Sequence, residues 1–225
     1  MLIKNNLNTV LETVPGGITL VAVSKTKPVS DIREAYDAGH KVFGENKVQE
    51  MVQKYEVLPK DIEWHMIGHL QRNKVKYMAP FVSLIHGVDS FKTLKEIDKQ
   101  AKKNNRIINC LLEAKIARED TKFGLSFADI EEILTSDAFK EMKNVKVTGL
   151  MGMASFTDDK EQIAKEFRLL KEFFDQLKKE LPKAENINMT TLSMGMSGDY
   201  KIAIENGSNM IRVGSAIFGP RNYIA

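Results

Sequence analysis

The sequence is poor in cysteine and in net charge, and it contains no long hydrophobic run. A single cysteine among 225 residues excludes an internal disulfide and every multi-cysteine zinc or iron–sulfur pattern. A net charge of +3 is too small to require nucleic acid or an anionic membrane as partner. No stretch approaches the ~18 apolar residues of a membrane span, and the amphipathic N-terminus lacks the apolar centre of a signal peptide. We therefore expect a cytoplasmic protein that binds neither membranes nor nucleic acid.

Several common motifs are also missing. The sequence has no GxGxxG, no GxxxxGK[ST] and no GxSxG, which excludes the usual dinucleotide, nucleotide-phosphate and serine-hydrolase signatures. His65 and His69 are four residues apart, but they straddle the end of a predicted strand, and no carboxylate or cysteine completes a ligand set. We expect no metal site.

The sequence does contain an alternation of short apolar runs and amphipathic helical patterns from end to end. About eight such units predict parallel strands joined by right-handed crossovers. In a chain of this length they predict an α/β protein with a single (β/α)₈ TIM-type barrel over residues 1–225, and an open doubly wound sheet is the alternative. The predicted strands are 18–24, 41–44, 64–68, 82–88, 107–114, 145–153, 189–195 and 210–219.

Helix boundaries are predicted from serine and glycine. Ser30, Ser90 and Ser126 stand where helix N-caps belong, and Asp129 gives the last of these the spacing of a capping box. Gly39 is placed to end the helix that Ser30 would begin. These residues therefore predict the start of three helices and the end of one.

Lys25 is the first candidate functional residue, because functional groups of such barrels gather where the strands end. It directly follows an apolar strand, where partial desolvation lowers the pKa of an amine and favours imine formation with an aldehyde or ketone. The alternative is a lysine that simply leaves the strand for solvent. Lys27 lies on the same face of an extended segment and is a lower-ranked second amine.

The ends of the last two predicted strands are rich in serine and glycine. Loops after strands 7 and 8 are the usual phosphate-binding place in these barrels, and small residues let the backbone approach a ligand closely. The alternative is a pair of ordinary turns. The candidate residues are Ser193, Gly195 and Ser197 after strand 7, and Arg212, Gly214 and Ser215 after strand 8.

Five motifs in order resemble the pyridoxal-phosphate homeostasis protein family, which is similar to the N-terminal barrel of alanine racemase, a type III fold of pyridoxal-phosphate proteins. The resemblance implies that pyridoxal 5′-phosphate (PLP) is held as an internal aldimine on the lysine of VSK, here Lys25. The motifs are VAVSKTKP (21–28), FGENKVQE (43–50), WHMIGHLQRNK (64–74), LSMGMSGDY (192–200) and IRVGSAIFGPRNY (211–223).

The same resemblance implies roles for the other site residues. Arg212 would face the pyridine nitrogen of the cofactor and Asn46 would approach the side of the ring. The cofactor phosphate would be held by Ser193, Ser197, Gly214 and Ser215.

Binding without turnover is the function that these roles imply. A cation beside the pyridine nitrogen disfavours its protonation and leaves the ring a poor electron sink. Racemases of this fold add a tyrosine from a second domain, for which we expect no place in 225 residues. The family resemblance implies a protein that stores and buffers PLP in the cell and makes transient contact with apo-enzymes. We expect a monomer, because the sequence shows no exposed amphipathic stripe beyond the helices of the barrel itself.

Two enzymatic alternatives stay open at this stage. One is a slow PLP-dependent amino-acid racemase. The other is a Schiff-base aldolase, for which Glu45 or Glu113 would supply the acid.

Two segments depart from the family pattern. GLMGMAS (149–155) follows strand 6 where GLMT is commoner, and the segment 113–125 lacks the usual small polar residues but keeps Lys122 and Gly124 of a K-x-G element. These departures leave open which residue covers the face of the cofactor ring.

Overall fold

The structure is a computed structural model that describes residues 2–118 and 124–220. Within these ranges eight parallel strands close into a barrel in chain order, and β8 pairs with β1. The predicted (β/α)₈ barrel is confirmed. The strands are β1 (Thr19–Val23), β2 (Val42–Glu45), β3 (Glu63–Met66), β4 (Leu84–Val88), β5 (Ile108–Ala114), β6 (Val145–Gly152), β7 (Ile187–Ser193) and β8 (Met210–Val213).

Helices connect the strands and surround the barrel. A 3₁₀ turn, Arg72–Lys74, precedes the fourth of them. The helices are α1 (Leu2–Glu12), α2 (Val29–Asp37), α3 (Val48–Val57), α4 (Val75–Met78), α5 (Phe91–Lys103), α6 (Phe127–Thr135), α7 (Asp137–Lys140), α8 (Lys160–Glu180), α9 (Tyr200–Glu205) and α10 (Ser215–Phe218).

Hydrophobic side chains of the described residues form two cores, because alternate strand residues face opposite sides of the sheet. The larger core lies between the barrel and the helices and includes residues such as Phe43, Trp64 and Phe167. A smaller cluster inside the barrel is formed by Val21, Leu84, Leu111, Met151 and Met210. The strands are therefore covered on both faces, which explains their nearly continuous apolar runs.

Two of the three predicted serine N-caps are confirmed. The Ser90 hydroxyl accepts a hydrogen bond from the Thr93 amide, and Ser126 forms a complete capping box with Asp129. The prediction for Ser30 is wrong: α2 begins at Val29 and its N-cap is Pro28, two residues before the predicted cap, so Ser30 lies inside the first turn. Pro28 takes the capping position because its ring fixes φ near the extended value that a helix entry requires.

The last two strands end earlier than predicted. β7 ends at Ser193, and the chain turns at Gly195, whose φ is +93°. β8 stops at Val213, and the amides of Ile217 and Phe218 donate to the Gly214 carbonyl at 2.9 Å, which forms α10 instead of a longer strand. Both early endings place Ser197 and Gly214 in loops at the carboxyl end of the barrel, with Ser215 at the start of α10.

Candidate functional site

Lys25 lies in the turn that follows β1, at the carboxyl end of the barrel, and it is half-buried. The loop after β8 packs directly against this point. A Cβ added at Gly214 would lie 3.1 Å from the Val23 carbonyl oxygen and 3.2 Å from the Val23 Cβ. Glycine at position 214 therefore lets the loop after β8 pack against the end of β1, just before the turn that contains Lys25.

The backbone is strained immediately after Lys25. Thr26 has a φ of +64°, a left-handed conformation that is a genuine outlier for a β-branched residue. Its amide donates a hydrogen bond of 2.6 Å to Glu50 Oε1. Strain of this kind persists only where surrounding contacts impose it, and it clusters at functional sites.

The loops after β7 and β8 meet at the candidate phosphate site. Ser197 Oγ accepts a hydrogen bond from the Gly214 amide at 3.1 Å, and the exposed Ser215 follows directly in the chain. Gly195 permits the β7 loop to turn here, because a Cβ on it would lie 2.8 Å from the Tyr200 Cα. The structure thus brings Ser197, Gly214 and Ser215 together, as a phosphate-binding segment would require.

Arg212 is buried inside the barrel, where β8 places it beside Val21 of β1. Its Nη1 donates to the Ser193 hydroxyl at 2.6 Å and to the Ser193 carbonyl at 2.9 Å, and its Nη2 donates to the Gly152 carbonyl at 3.1 Å. Burial lowers the pKa of the guanidinium to about 10, while the nearby charges of Asp199 and Glu113 oppose this shift. Arg212 is therefore a cation at neutral pH.

A chain of hydrogen bonds continues from Arg212 across the barrel. Ser193 Oγ lies 3.1 Å from His86 Nδ1, and His86 Nε2 lies 3.1 Å from His65 Nδ1. Burial lowers the pKa of His65 to about 3 and that of His86 well below its usual range, so both rings are neutral. Because arginine can only donate, the Ser193 hydroxyl accepts from Arg212, and the tautomer of His86 sets which group donates in the Ser193–His86 bond.

This chain of hydrogen bonds separates Ser193 from the other residues predicted to bind the phosphate. Ser193 is completely buried and bonded to Arg212 and His86, whereas Ser197 lies in the loop after β7 and the exposed Ser215 begins α10. Sequence reasoning did not identify His86 as a site residue. The available signal was a titratable residue inside an otherwise apolar strand.

Asn46 follows β2 at the same end of the barrel and is half-buried. A Cβ at Gly68 would lie 2.7 Å from the Asn46 carbonyl oxygen, and one at Gly87 would lie 2.5 Å from the Gly68 carbonyl oxygen. Two glycines thus let the segments after β2 and β3 approach each other and β4 closely. A cavity of about 260 Å³, lined in part by Met66 and His69, opens beside Asn46.

Glu45 and Glu113, the two candidate acids, are both buried. Burial raises the pKa of each carboxyl to about 7. Glu45 Oε1 accepts hydrogen bonds from Ser24 at 2.5 Å and from Lys54 at 2.7 Å, which commits that oxygen to structural contacts. Glu113 lies within electrostatic reach of Arg212 and Asp89, at the mouth of the barrel.

Lys27, the second candidate amine, contacts the end of α10. Its Nζ donates to the carbonyl oxygens of Phe218 at 2.8 Å and Pro220 at 2.9 Å. These two bonds anchor Lys27 away from the Ser197–Gly214 contact. Of the K-x-G element, Lys122 lies outside the described residues; Gly124 is described and has a left-handed φ of +131°.

The two histidines considered for a metal lie in different environments. His65 belongs to the buried chain, while the more exposed His69 pairs with Asp89 Oδ2 at 2.9 Å. Within residues 2–118 and 124–220, no three His, Cys, Asp or Glu side chains are grouped to hold a metal ion. Over the same described part of the chain, no helix is long and apolar enough to cross a membrane.

Residues 2–222 match the model of the family described as alanine racemase, N-terminal domain. This chain belongs to that family. A protein of Aquifex aeolicus named pyridoxal phosphate homeostasis protein is 43% identical over 205 residues, which are 91% of this chain and 87% of the relative. One of the same name from Haemophilus influenzae is 37% identical over 99% of this chain and 98% of its own.

Solved structures agree with this assignment. PipY of Synechococcus elongatus, solved with PLP bound, superposes with a TM-score of 0.87 at 33% identity, covering 96% of this chain and 100% of PipY. Alanine racemase of Clostridium difficile superposes with a TM-score of 0.79 at 14% identity, covering 99% of this chain and 61% of the racemase. The racemase likeness shows the shared barrel alone.

Proposed function

We propose that this protein binds PLP through Lys25 and maintains its intracellular supply by storing it, buffering its reactive aldehyde and delivering it to apo-enzymes. The main support is the packing of Gly214 against Val23, which brings the Ser197–Gly214 contact next to the turn after β1 that contains Lys25. The PLP-bound PipY structure and the names of the curated relatives support the same cofactor.

The residues fit the cofactor in charge and donor type. The Lys25 amine would attack the PLP aldehyde carbon, forming a carbon–nitrogen double bond with loss of water. Hydroxyls and backbone amides of small residues suit a phosphate group, so Ser197, Gly214 and Ser215 would hold it. Arg212 would face the ring nitrogen and Asn46 the ring side, while Ser193 would act on the cofactor through its bond to Arg212.

We propose that binding occurs without turnover. Arg212 is a buried cation, and such a charge beside the ring nitrogen disfavours the protonated ring that stabilises a carbanion. The racemase alternative is not favoured, since the curated relatives share the homeostasis name and not that of a racemase. Incubation of the loaded protein with L-alanine should therefore yield no more D-alanine than free PLP does, and a clear excess would contradict this part of the proposal.

We also propose a domain organisation, an oligomeric state and a location for the protein. Residues 1–225 would form one PLP-binding domain that acts as a monomer in the cytoplasm. Cys110 is buried in β5, and burial raises the pKa of its thiol, which suits a protein without disulfides. Light scattering over a wide concentration range should give the mass of one chain, and a constant dimer mass would contradict the monomer.

Titration with PLP tests the covalent link. The wild-type protein should develop a near-visible imine band at one equivalent, and Lys25→Ala should develop none. Lys27→Ala is the matched control and should retain the band, because Lys27 is bonded to the end of α10. A band that persists in Lys25→Ala but disappears in Lys27→Ala would overturn the assignment.

A further inference from the structure

Lys54 is buried although its side chain carries a charge. Its side chain is 6% exposed, and its ammonium donates to Ser24 O at 2.8 Å, to Glu45 Oε1 at 2.7 Å and to Glu50 Oε1 at 2.7 Å. A lysine ammonium has three N–H groups, so every donor has an acceptor. A charge tolerates burial only when it is paired and hydrogen-bonded in this way.

The same oxygens hold the chain on both sides of Lys25. On the preceding side, the Ser24 carbonyl accepts from Lys54, and the Ser24 hydroxyl donates to Glu45 Oε1 at 2.5 Å. On the following side, the Thr26 amide donates to Glu50 Oε1 at 2.6 Å. Lys54 of α3 therefore connects the two residues that flank Lys25, through the buried Glu45 and the Ser24 carbonyl on one side and the partly exposed Glu50 on the other.

The turn needs this support because its conformation is unfavourable by itself. Thr26 is β-branched and left-handed, so the local sequence would relax to another backbone shape without external contacts. The backbone path through Ser24, Lys25 and Thr26 sets the direction of the Lys25 side chain. Lys54 restrains that path, since it binds one oxygen from each of the contacts on either side of the turn.

We propose that Lys54 is a positioning residue that sets the backbone at Lys25 and so aims its amine at the aldehyde; the inference rests on the proposed function. Lys54 itself forms no imine, because all three of its N–H groups are bonded inside the protein. Glu45 and Glu50 belong to the same device. Small errors in the position of a reacting group lower rates by up to about 100-fold.

The test separates imine formation from cofactor binding. Lys54→Met should slow formation of the imine band with PLP by roughly 10- to 100-fold. It should leave almost unchanged the affinity for 4′-deoxypyridoxine phosphate, which carries the phosphate and ring but has a methyl group in place of the aldehyde. Lys54→Arg, which keeps the charge and the donors, should restore most of the rate. Lys60→Met is the matched control and should behave as wild type, because the exposed Lys60 contacts the Tyr55 and Glu56 carbonyls and the Tyr55 ring rather than the turn at Lys25.

Each outcome has a distinct meaning. Equal imine rates in wild type and Lys54→Met would overturn the inference and leave the proposed function intact. A parallel loss of analogue affinity and imine rate would also overturn it, since Lys54 would then support the whole fold of the site. Absence of an imine band in wild type would instead refute the proposed function.

A second variant covers the case in which Lys54→Met does not fold. Glu50→Ala removes the acceptor of the Thr26 amide at a side chain that is 23% exposed and leaves the Lys54–Glu45 pair intact. It should lower the imine rate several-fold without changing analogue affinity. An unchanged imine rate in Glu50→Ala would contradict the proposed coupling.

Discussion

The layer between barrel and helices and the mouth of the barrel are built from opposite kinds of residue. The outer layer buries large apolar side chains, among them Trp64 and Phe167, with no exposed surface. The mouth, meaning the barrel interior toward the carboxyl ends of the strands, buries Arg212, His86 and Glu113. Their charged or polar atoms lose their hydration at a cost in free energy. The contrast teaches that the apolar layer supplies stability, while the mouth holds desolvated polar groups in the arrangement that binding requires.

Removal of a large side chain from the outer layer should have the largest effect on stability. Phe167 is fully buried on α8, so Phe167→Ala should lower the free energy of unfolding by about 3–5 kcal/mol in urea denaturation. PLP bound per folded molecule should stay at the wild-type value. Phe167→Leu, which leaves a smaller cavity, should cost less. Loss of PLP binding by a protein that remains folded would break the proposed division between the two regions.

The pH dependence of stability should reveal the desolvated carboxyl of Glu113 at the mouth of the barrel. Burial raises the pKa of Glu113 from 4.5 to about 7, with Asp89 adding to the shift and Arg212 and His69 opposing it. Between these values the folded state binds more protons than the unfolded state. This contribution is therefore fully present below about pH 4.5 and is lost as the pH rises through about 7.

Glu113→Gln removes that contribution and should flatten the curve. From pH 4.5 to 8, the wild-type protein should lose roughly 2–3 kcal/mol more stability than the variant, measured by denaturation at each pH. Glu45 has a pKa raised in the same direction and should leave a residual decline in the variant. Identical pH profiles for the two proteins would show that Glu113 is not desolvated.

Breaking the buried hydrogen-bond chain at Ser193 should cause a smaller loss of stability and should also weaken PLP binding. Ser193→Ala leaves Arg212 Nη1 and His86 Nδ1 without their shared partner, which should cost about 1–3 kcal/mol of stability. PLP affinity should fall as well, because Arg212 loses one of its bonds. Calorimetric titration with PLP measures this. A variant with wild-type stability and affinity would contradict the role of the chain.

Removal of an exposed helix cap should have the smallest effect on stability and no effect on PLP binding. Ser126→Ala removes the capping box of α6 and should lower stability by about 1 kcal/mol. Ser126→Thr keeps an oxygen acceptor and should lose less. PLP affinity should match wild type in both, and a change in affinity would mean that the two regions are coupled through α6.

Much of the fold was predictable, because most strands are buried, largely apolar runs that alternate with helix patterns. The errors fall at strand ends. Gly195 and Gly214 end strands by their backbone conformation, although apolar residues continue beyond them in the sequence. Ser30 was misassigned since Pro28 competes with it for the start of α2. Local composition predicts an element better than it predicts the residue at which the element stops.

The site was predictable only where its residues follow strands. Lys25, Ser197 and Gly214 stand at strand ends, and the structure places the two loops together as the pattern indicates. Lys54 and His86 were missed because periodicity treats buried positions as apolar. Lys54 does follow Val48 and Met51 at three-residue spacing on the buried face of α3, and a charge at such a position is the signal to look for.

Mapping of the bound cofactor tests the central claim most directly. The protein loaded with PLP would be reduced with borohydride, digested, and its peptides measured by mass spectrometry. The account predicts a single pyridoxyl-phosphate group on Lys25. A modification found on Lys27 or spread over surface lysines, with Lys25 unmodified, would contradict it.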